Sequence, residues 1–186
     1  MKRFVILLLL SALLVGCAVS PDPVKEGMNL RQRILNSSGC EFDAVIIASY
    51  SDCSYTFTLE CMADASGDLT FTVKDPESIS GISGTITSAG GDLRFDDTVL
   101  GFDPLADGLL SPVGTPWLFM KVLRGGYLHA VQEEESGLRL ILDDTYRSED
   151  VRAEIMVNTD LVPTQCEIYW KGKRYLSMDV RNFVFL

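Results

Sequence analysis

The sequence of 186 residues has few of the groups that enzymes use for catalysis, and it has a single histidine, His129. A serine triad or a histidine metal site would therefore have to use His129. Its neighbours Tyr127 and Val131 place it on one face of a strand, where a structural histidine is more common than a catalytic one. The sequence also has no phosphate-binding loop and no nucleophile elbow. We expect a protein that is not an enzyme and that uses no cofactor.

Carboxylates are plentiful, but they are not arranged as a site. Glu133-Glu134-Glu135 and Asp143-Asp144 are two groups that calcium could bind, yet neither has the spacing of a calcium-binding loop. Nothing in the sequence brings two carboxylates together in a polar cleft, as glycoside cleavage requires. We interpret both groups as solvated residues of hairpins and expect no metal site.

Positive charge is scarce. The 16 lysines and arginines against 26 aspartates and glutamates give a formal net charge of −10. So acidic a surface argues against binding to nucleic acid and against lying flat on anionic lipid headgroups. Lys171, Lys173 and Arg174 form the one basic cluster, which is either a charged hairpin or a contact for anionic headgroups.

No apolar run reaches the roughly 20 residues that span a membrane. Residues 4–15 are apolar except for Ser11, follow Lys2 and Arg3, and end at Leu14-Val15-Gly16-Cys17. These last four residues resemble the lipobox of bacterial lipoproteins, in which the cysteine thiol is alkylated by a diacylglyceryl group and the chain is cut just before it. The resemblance implies a signal peptide at 1–16, a lipidated tether at 17–28 and one domain at 29–186, anchored to a membrane outside the cytoplasm. The alternatives are an ordinary cleaved signal and a cysteine that stands at this position by chance.

The remaining cysteines, Cys40, Cys53, Cys61 and Cys166, contain no C-x-x-C pair, which argues against zinc and thiol-redox sites. In an exported protein four cysteines suggest structural residues, either bridged in disulfides, with three possible pairings, or buried as free thiols. If Ala48 faces Cys53 across the first hairpin, Cys40 lies opposite Cys61 on the apolar face. Cys40–Cys61 is therefore the preferred disulfide, while Cys53 and Cys166 pair only if the last strands return to this hairpin.

Most of the chain has the alternation of β-strands. Helical spacing of Leu30, Ile34 and Leu35 predicts a short amphipathic helix from Met28. After Cys40, alternating segments separated by short turns continue to the end of the chain, which is typical of an antiparallel meander.

One helix interrupts the meander at residues 116–124. Thr115 as N-cap, Pro116 at the first position, Arg124 in the last turn and glycines beyond predict its ends. Because it is apolar nearly all round, we expect it to lie across the concave face of a curved sheet. The apolar loop before it, residues 101–113, is a candidate lid, and ordinary loop packing is the alternative.

This order of elements resembles the Lol-type lipoprotein carrier superfamily, which includes mycobacterial lipid-binding lipoproteins and an envelope-stress sensor domain. The residues that fit its pattern are Asp75-Pro76-Glu77 after an early strand, the internal helix 116–123, and Val180-Arg181-Asn182-Phe183 on the last strand. The resemblance implies an α+β fold, in which a curved antiparallel sheet forms an unclosed half-barrel with short helices over its concave face. It also implies an apolar hollow that holds acyl chains. The carrier closes its lid through an arginine on an early strand, and residues 41–50 contain none.

Two classes of function remain. The first is a membrane-anchored protein that binds a lipid or another apolar ligand in the half-barrel and takes part in lipid or lipoprotein transport. The second is a regulatory or structural envelope lipoprotein with a filled interior that binds a protein partner. For the first class, the expected cavity residues are Trp117, Leu118, Phe119, Phe102, Phe42 and Phe57.

Overall fold

The computed structural model describes residues 22–50, 53–102, 111–145 and 151–186. The predicted signal peptide, Cys17 and most of the predicted lid loop lie outside this part. Within it, eleven strands form one antiparallel sheet on which two α-helices pack. The helices are α1 (Pro23–Asn36) and α2 (Thr115–Gly125), which follows a short 3-10 turn at Pro112–Gly114. The strands are β1 (Gly39–Tyr50), β2 (Cys53–Asp64), β3 (Leu69–Asp75), β4 (Ser83–Thr87), β5 (Gly90–Phe95), β6 (Thr98–Phe102), β7 (Tyr127–Glu134), β8 (Gly137–Asp143), β9 (Val151–Asn158), β10 (Pro163–Trp170) and β11 (Lys173–Phe185).

The sheet is built from two meanders that meet at its centre. Its strand order is β6-β5-β4-β3-β2-β1-β11-β10-β9-β8-β7, so the first and last strands of the chain are neighbours. Ala44 of β1 lies opposite Val180 of β11. The edges are β6 and β7, and the sheet does not close into a barrel. The predicted α+β fold, a curved antiparallel sheet in an unclosed half-barrel, is confirmed.

Strand alternation determines which side chains form the core, because successive residues point to opposite faces of a sheet. In β9, Ala153 and Ile155 are buried, whereas Arg152 and Glu154 between them are partly exposed. Helix α2 covers the buried face and contributes most of its own apolar side chains to the core. Burying one such side chain, such as Phe119, contributes about 1.5–3 kcal/mol.

Helix α1 starts earlier than predicted. It begins at Pro23 rather than Met28, because the Asp22 carboxylate caps it by accepting a hydrogen bond from the Val24 backbone N–H at 3.1 Å. Proline is favoured at the first helical position, since its missing N–H has no partner there anyway. Residues 23–28, predicted as tether, are therefore helical. Neither α1 nor α2 has the length and apolarity needed to cross a membrane, and the described residues contain no other helix that does.

The predicted disulfide between Cys40 and Cys61 is wrong. In the β1–β2 hairpin Cys40 lies opposite Ala63, and Phe42 lies opposite Cys61. The two cysteines are thus diagonal neighbours, typically about 7–8 Å apart at Cα, beyond the roughly 4.4–6.8 Å that a disulfide spans. Both are buried free thiols, as is Cys166. The side chain of Cys53 lies outside the described residues.

Helix α2 lies where the sequence predicted it, with a different N-terminus. Gly114 is the N-cap, and Thr115 is already helical. At the other end, the Gly126 backbone N–H donates to the carbonyl oxygen of Val122 at 2.8 Å. The helix packs against β2, β8 and α1, which explains why it has no polar face.

Candidate functional site

Phe42 of β1 and Phe119 of α2 meet between the sheet and the helix. These two predicted cavity residues are buried, and their rings make an edge-to-face contact with centroids 5.6 Å apart. Phe183 of β11 stacks on Phe42 from another direction, also at 5.6 Å. Phe42 and Phe119 therefore act as packing residues in this conformation.

Trp117 and Leu118, the predicted cavity residues at the start of α2, are buried too. The ammonium of Lys121 lies 5.4 Å from the centre of the Trp117 ring and forms an ion pair with Asp144 at 2.9 Å. This pair joins α2 to the end of β8. The ion pair holds Lys121 in place, and the apolar side chains of α2 lie against the sheet.

The other two predicted residues, Phe102 and Phe57, are only partly buried and lie at the border of the core. Phe102 lies on β6 opposite Gly91, and a methyl group added at Gly91 would come within 2.6 Å of the Phe102 ring. Glycine at this position thus lets the ring lie flat against the backbone of β5. Phe57 stacks with the exposed Tyr55 at 6.5 Å.

The hairpin β5–β6 carries an apolar surface on the concave side of the sheet. Leu93 and Leu100 lie opposite each other, and Leu93 in turn pairs with the buried Gly84 of β4. By alternation Phe95 and Phe102 share that face. Leu100 and Phe95 are 63% and 55% exposed, so the surface is open to solvent. We call Leu93, Phe95, Leu100 and Phe102 the β5–β6 apolar face.

A separate groove of about 510 Å³ crosses the opposite, outer face of β1 to β5. Residues two apart on a strand share a face, so β1 to β4 each contribute two outward side chains. These mostly polar side chains form two rows across the strands, which are the walls of the groove. One wall contains Glu60 and Arg94, and Asp43 accepts a hydrogen bond there from the Asn182 amide at 2.6 Å. Carboxylates and hydroxyls make this groove unsuitable for an acyl chain.

Another depression, of about 530 Å³, lies between α1, the end of α2 and β7. Arg31 of α1 is its cation, and Asp144 is also among its lining residues. The Arg31 guanidinium donates hydrogen bonds to the backbone carbonyls at the end of α2, including that of Leu123 at 2.8 Å. An arginine thus holds the internal helix in place, but it comes from α1 and not from β1.

The single histidine lies beside a carboxylate that is already paired with an arginine. His129 is half exposed, and its Nδ1 lies 3.6 Å from Asp143. That carboxylate is already held by Arg152 through hydrogen bonds of 2.7 and 3.1 Å. In the part of the chain that the structure describes, no group of three or more histidine, cysteine, aspartate or glutamate residues could hold a metal ion. Burial raises the pKa of the Cys40, Cys61 and Cys166 thiols, which keeps them unreactive.

The basic cluster forms the tip of the β10–β11 hairpin. The ammonium of Lys171 lies 4.5 Å from the centre of the Trp170 ring, and that of Lys173 lies 5.6 Å from the Tyr175 ring. Arg174 pairs with Glu167. These contacts account for the cluster as a structural feature, and its predicted role as a headgroup contact stays a prediction.

No protein-family model matches the sequence, and no curated protein matches it significantly. Several solved structures do match the chain. A domain from Vibrio parahaemolyticus assigned as an outer membrane lipoprotein-sorting protein superposes with a TM-score of 0.50 at 10% identity, over 88% of this chain and 92% of that one. The chain shares the fold of this lipoprotein-sorting domain. The predicted resemblance is thereby confirmed at the level of the fold.

Two further structures of this fold match over similar lengths. A LolA superfamily protein from Nitrosomonas europaea has a TM-score of 0.47 and 8% identity, over 86% of this chain and 93% of that one. The lipoprotein LppX from Mycobacterium tuberculosis has a TM-score of 0.42 and 7% identity, over 87% of this chain and 92% of that one. At such identities, individual functional residues cannot be transferred to this chain.

Sequence reasoning missed the two features that shape the site. Phe95 and Leu100 look like core residues by their alternation, and only the strand order shows that their hairpin lies at the open edge of the sheet. The contact of Arg31 with α2 joins residues far apart in the chain and has no local signal.

Proposed function

We propose that this protein is an extracytoplasmic, lipid-anchored binding protein that holds an acyl chain or a similar apolar ligand against the concave face of its half-barrel. The β5–β6 apolar face carries the proposal, because Phe95 and Leu100 are large apolar side chains exposed on that side of the sheet. Covering apolar surface with a ligand gains about 25 cal/mol for each Å² removed from water. Such binding needs no catalytic group.

The anchor in this proposal is Cys17, which carries the acyl chains expected from the lipobox-like sequence before it. Two or three chains hold a protein firmly on a membrane, whereas one chain gives only marginal binding. Of the expected cavity residues, Phe102 and Phe57 remain the ligand contacts, since they are partly open. Trp117, Leu118, Phe119 and Phe42 form the packed wall behind them.

A protein partner is the second candidate. The packed contact between the Phe42 and Phe119 rings supports it, because the regulatory class predicts side chains in place of a ligand beside α2. Strand β6 is an edge of the sheet, and edge strands offer unpaired backbone groups to a partner strand. On this reading the β5–β6 apolar face contacts the partner instead of a lipid.

The test is native mass spectrometry, with organic extraction, on residues 18–186 exported without the lipid. Leu100→Asp places a charge on the β5–β6 apolar face. Val99→Asp is the matched control, because Val99 is adjacent, equally exposed at 64% and on the opposite face. We expect a co-purifying lipid or fatty acid that Leu100→Asp loses and Val99→Asp retains.

Two results would count against ligand binding at this face. A clean apoprotein that also fails to take up an environment-sensitive apolar dye would favour the protein-partner function. Retention of lipid by Leu100→Asp to the same extent as by Val99→Asp would show that the ligand does not lie on the concave side of β6. In either case crosslinking in the envelope, with the same two variants, would examine the partner.

A further inference from the structure

Helix α1 has a second apolar stripe that does not face the domain. Its buried residues are Gly27, Leu30 and Ile34. Val24, Met28 and Leu35 are instead 51%, 46% and 51% exposed. Successive residues of a helix are rotated by about 100° around its axis, so these three side chains lie within about 40° of one another. They point roughly a third of a turn away from the buried stripe. These three side chains form an exposed apolar stripe along α1, in which Arg31 occupies the position between Met28 and Leu35.

The position of the helix in the chain indicates what covers this stripe. Helix α1 begins at Pro23, shortly after the proposed anchor at Cys17. The chain between them can span at most about 20 Å, at about 3.3–3.6 Å per residue. Acyl chains in the bilayer keep Cys17 at the membrane surface, so the first turn of α1 stays within that distance of the headgroups. The helix has 14 residues and is therefore only about 21 Å long.

The charge around the stripe permits contact with a membrane although the whole chain is acidic. Helix α1 contains three cations, Lys25, Arg31 and Arg33, and a single carboxylate, Glu26. Arg31 is held by the carbonyls of α2, and the Arg33 guanidinium lies 3.9 Å from the centre of the Phe185 ring. Lys25 is exposed, so the surface next to the stripe is weakly basic. Helix α1 itself therefore adds no net negative charge to the repulsion between the acidic domain and anionic headgroups.

We infer that the exposed stripe of α1, formed by Val24, Met28 and Leu35, lies in the headgroup region of the membrane that holds the lipid anchor. This inference rests on the proposed anchor at Cys17. Amphipathic helices in the membrane interface bury their apolar side chains by about 5–10 Å. The contact orients the domain, because α1 is fixed to α2 through Arg31 and to β7 and β8 through its buried stripe.

The inference is tested with a polarity-sensitive dye on single cysteines in the full acylated protein. Met28→Cys places the dye on the stripe. Asn29→Cys is the matched control, because Asn29 is also exposed but lies about a third of a turn away. Cys40, Cys61 and Cys166 are buried, and Cys53→Ser in both variants removes the remaining thiol. The protein is reconstituted into phosphatidylcholine vesicles that contain a nitroxide-labelled lipid, and mass spectrometry of the same sample reports acylation of Cys17.

With Cys17 acylated, we expect the nitroxide to quench the dye at position 28 several-fold more strongly than at position 29, with a blue shift at position 28. Weak and equal quenching at both positions, with Cys17 acylated, would overturn the inference alone and leave the anchor intact. An unmodified Cys17 would overturn the anchor and, with it, the inference.

Discussion

The Arg31 Nε lies 2.8 Å from the carbonyl oxygen of Leu123, so that a cation on α1 holds the carboxyl end of α2. The same guanidinium donates through Nη2 to the carbonyl oxygens of Gly126, at 2.7 Å, and Val122, at 3.3 Å. The last carbonyls of a helix lack partners within it and carry partial negative charge, which makes a cation favourable there. Burial lowers the pKa of Arg31, yet an arginine stays charged at any physiological pH.

Replacing Arg31 by methionine is expected to destabilise the protein by about 2–3 kcal/mol, since hydrogen bonds to charged groups contribute about 1.5–3 kcal/mol each and are not additive. Arg31→Lys should restore only part of this, because one ammonium cannot reach three carbonyls in the geometry of the guanidinium fork. Urea unfolding measures both values. Arg181→Met is the control: Arg181 is exposed and 3.9 Å from Asp179, so its loss should change stability by less than about 0.5 kcal/mol. Equal effects at the two arginines would contradict the role of Arg31.

Removing the polar group of Thr115, at the start of α2, is expected to stabilise the protein. Its hydroxyl is buried, and it has no hydrogen-bond partner among the described residues. An unsatisfied buried polar group costs about 1–3 kcal/mol. Thr115→Val keeps the shape and removes the hydroxyl, so we expect the free energy of unfolding to rise by about 1 kcal/mol. Thr115→Ser keeps the hydroxyl and removes a methyl group, and should therefore lower it. A loss of stability in Thr115→Val would mean that the hydroxyl has a partner in solution.

Alternation in the sequence predicts which residues face the core but not how strands pair. In β1 the inward positions of Phe42, Ala44 and Ile46 follow directly from the period of two. A slip of the hairpin by two residues keeps every inward residue inward, so the pattern cannot distinguish the two registers. The preferred disulfide depended on that choice and was wrong for this reason.

The start of α1 is a second feature that the local sequence pattern did not predict. Asp22 followed by Pro23 is a recognisable helix start, and the prediction missed it because Pro21, Pro23 and Gly27 together resemble a linker. Gly27 is instead buried against Leu140 and Val131, where an added methyl group would lie 3.0 Å from the Leu140 side chain and 3.4 Å from that of Val131. That closeness depends on the packing of α1 against β7 and β8, which no local pattern reveals.

The buried thiols predict a loss of stability at alkaline pH. Burial raises the pKa of Cys166 in the folded protein above that of the unfolded chain, near 8.5. The unfolded state therefore loses its proton first as the pH rises, and above about pH 8.5 it binds fewer protons than the native state. Stability contributed by the neutral thiol is present below that pH and falls above it, by about 1.4 kcal/mol per pH unit for each thiol.

Urea midpoints from pH 7 to 10.5, compared between the wild-type protein and Cys166→Ala, measure this contribution. Tyrosine and lysine titrate in both proteins, so only the difference in slope reports Cys166. We expect the alkaline decline to be shallower in the variant. Parallel curves would show that the thiol titrates alike in the folded and unfolded states.

Gly91 tests how closely Phe102 must approach the backbone of β5. A methyl group there would lie 2.6 Å from two carbons of the Phe102 ring, so the ring must move away. We expect Gly91→Ala to cost about 1–2 kcal/mol, within the range for overpacking, and to change uptake of an apolar dye by disturbing the β5–β6 apolar face. Gly101→Ala is the control, because its added methyl group has free space on the outer face of the same hairpin and should stabilise the protein by about 0.4–1 kcal/mol. If both variants took up dye as the wild-type protein does, while Gly91→Ala alone lost stability, Phe102 would be a packing residue and not part of the ligand surface.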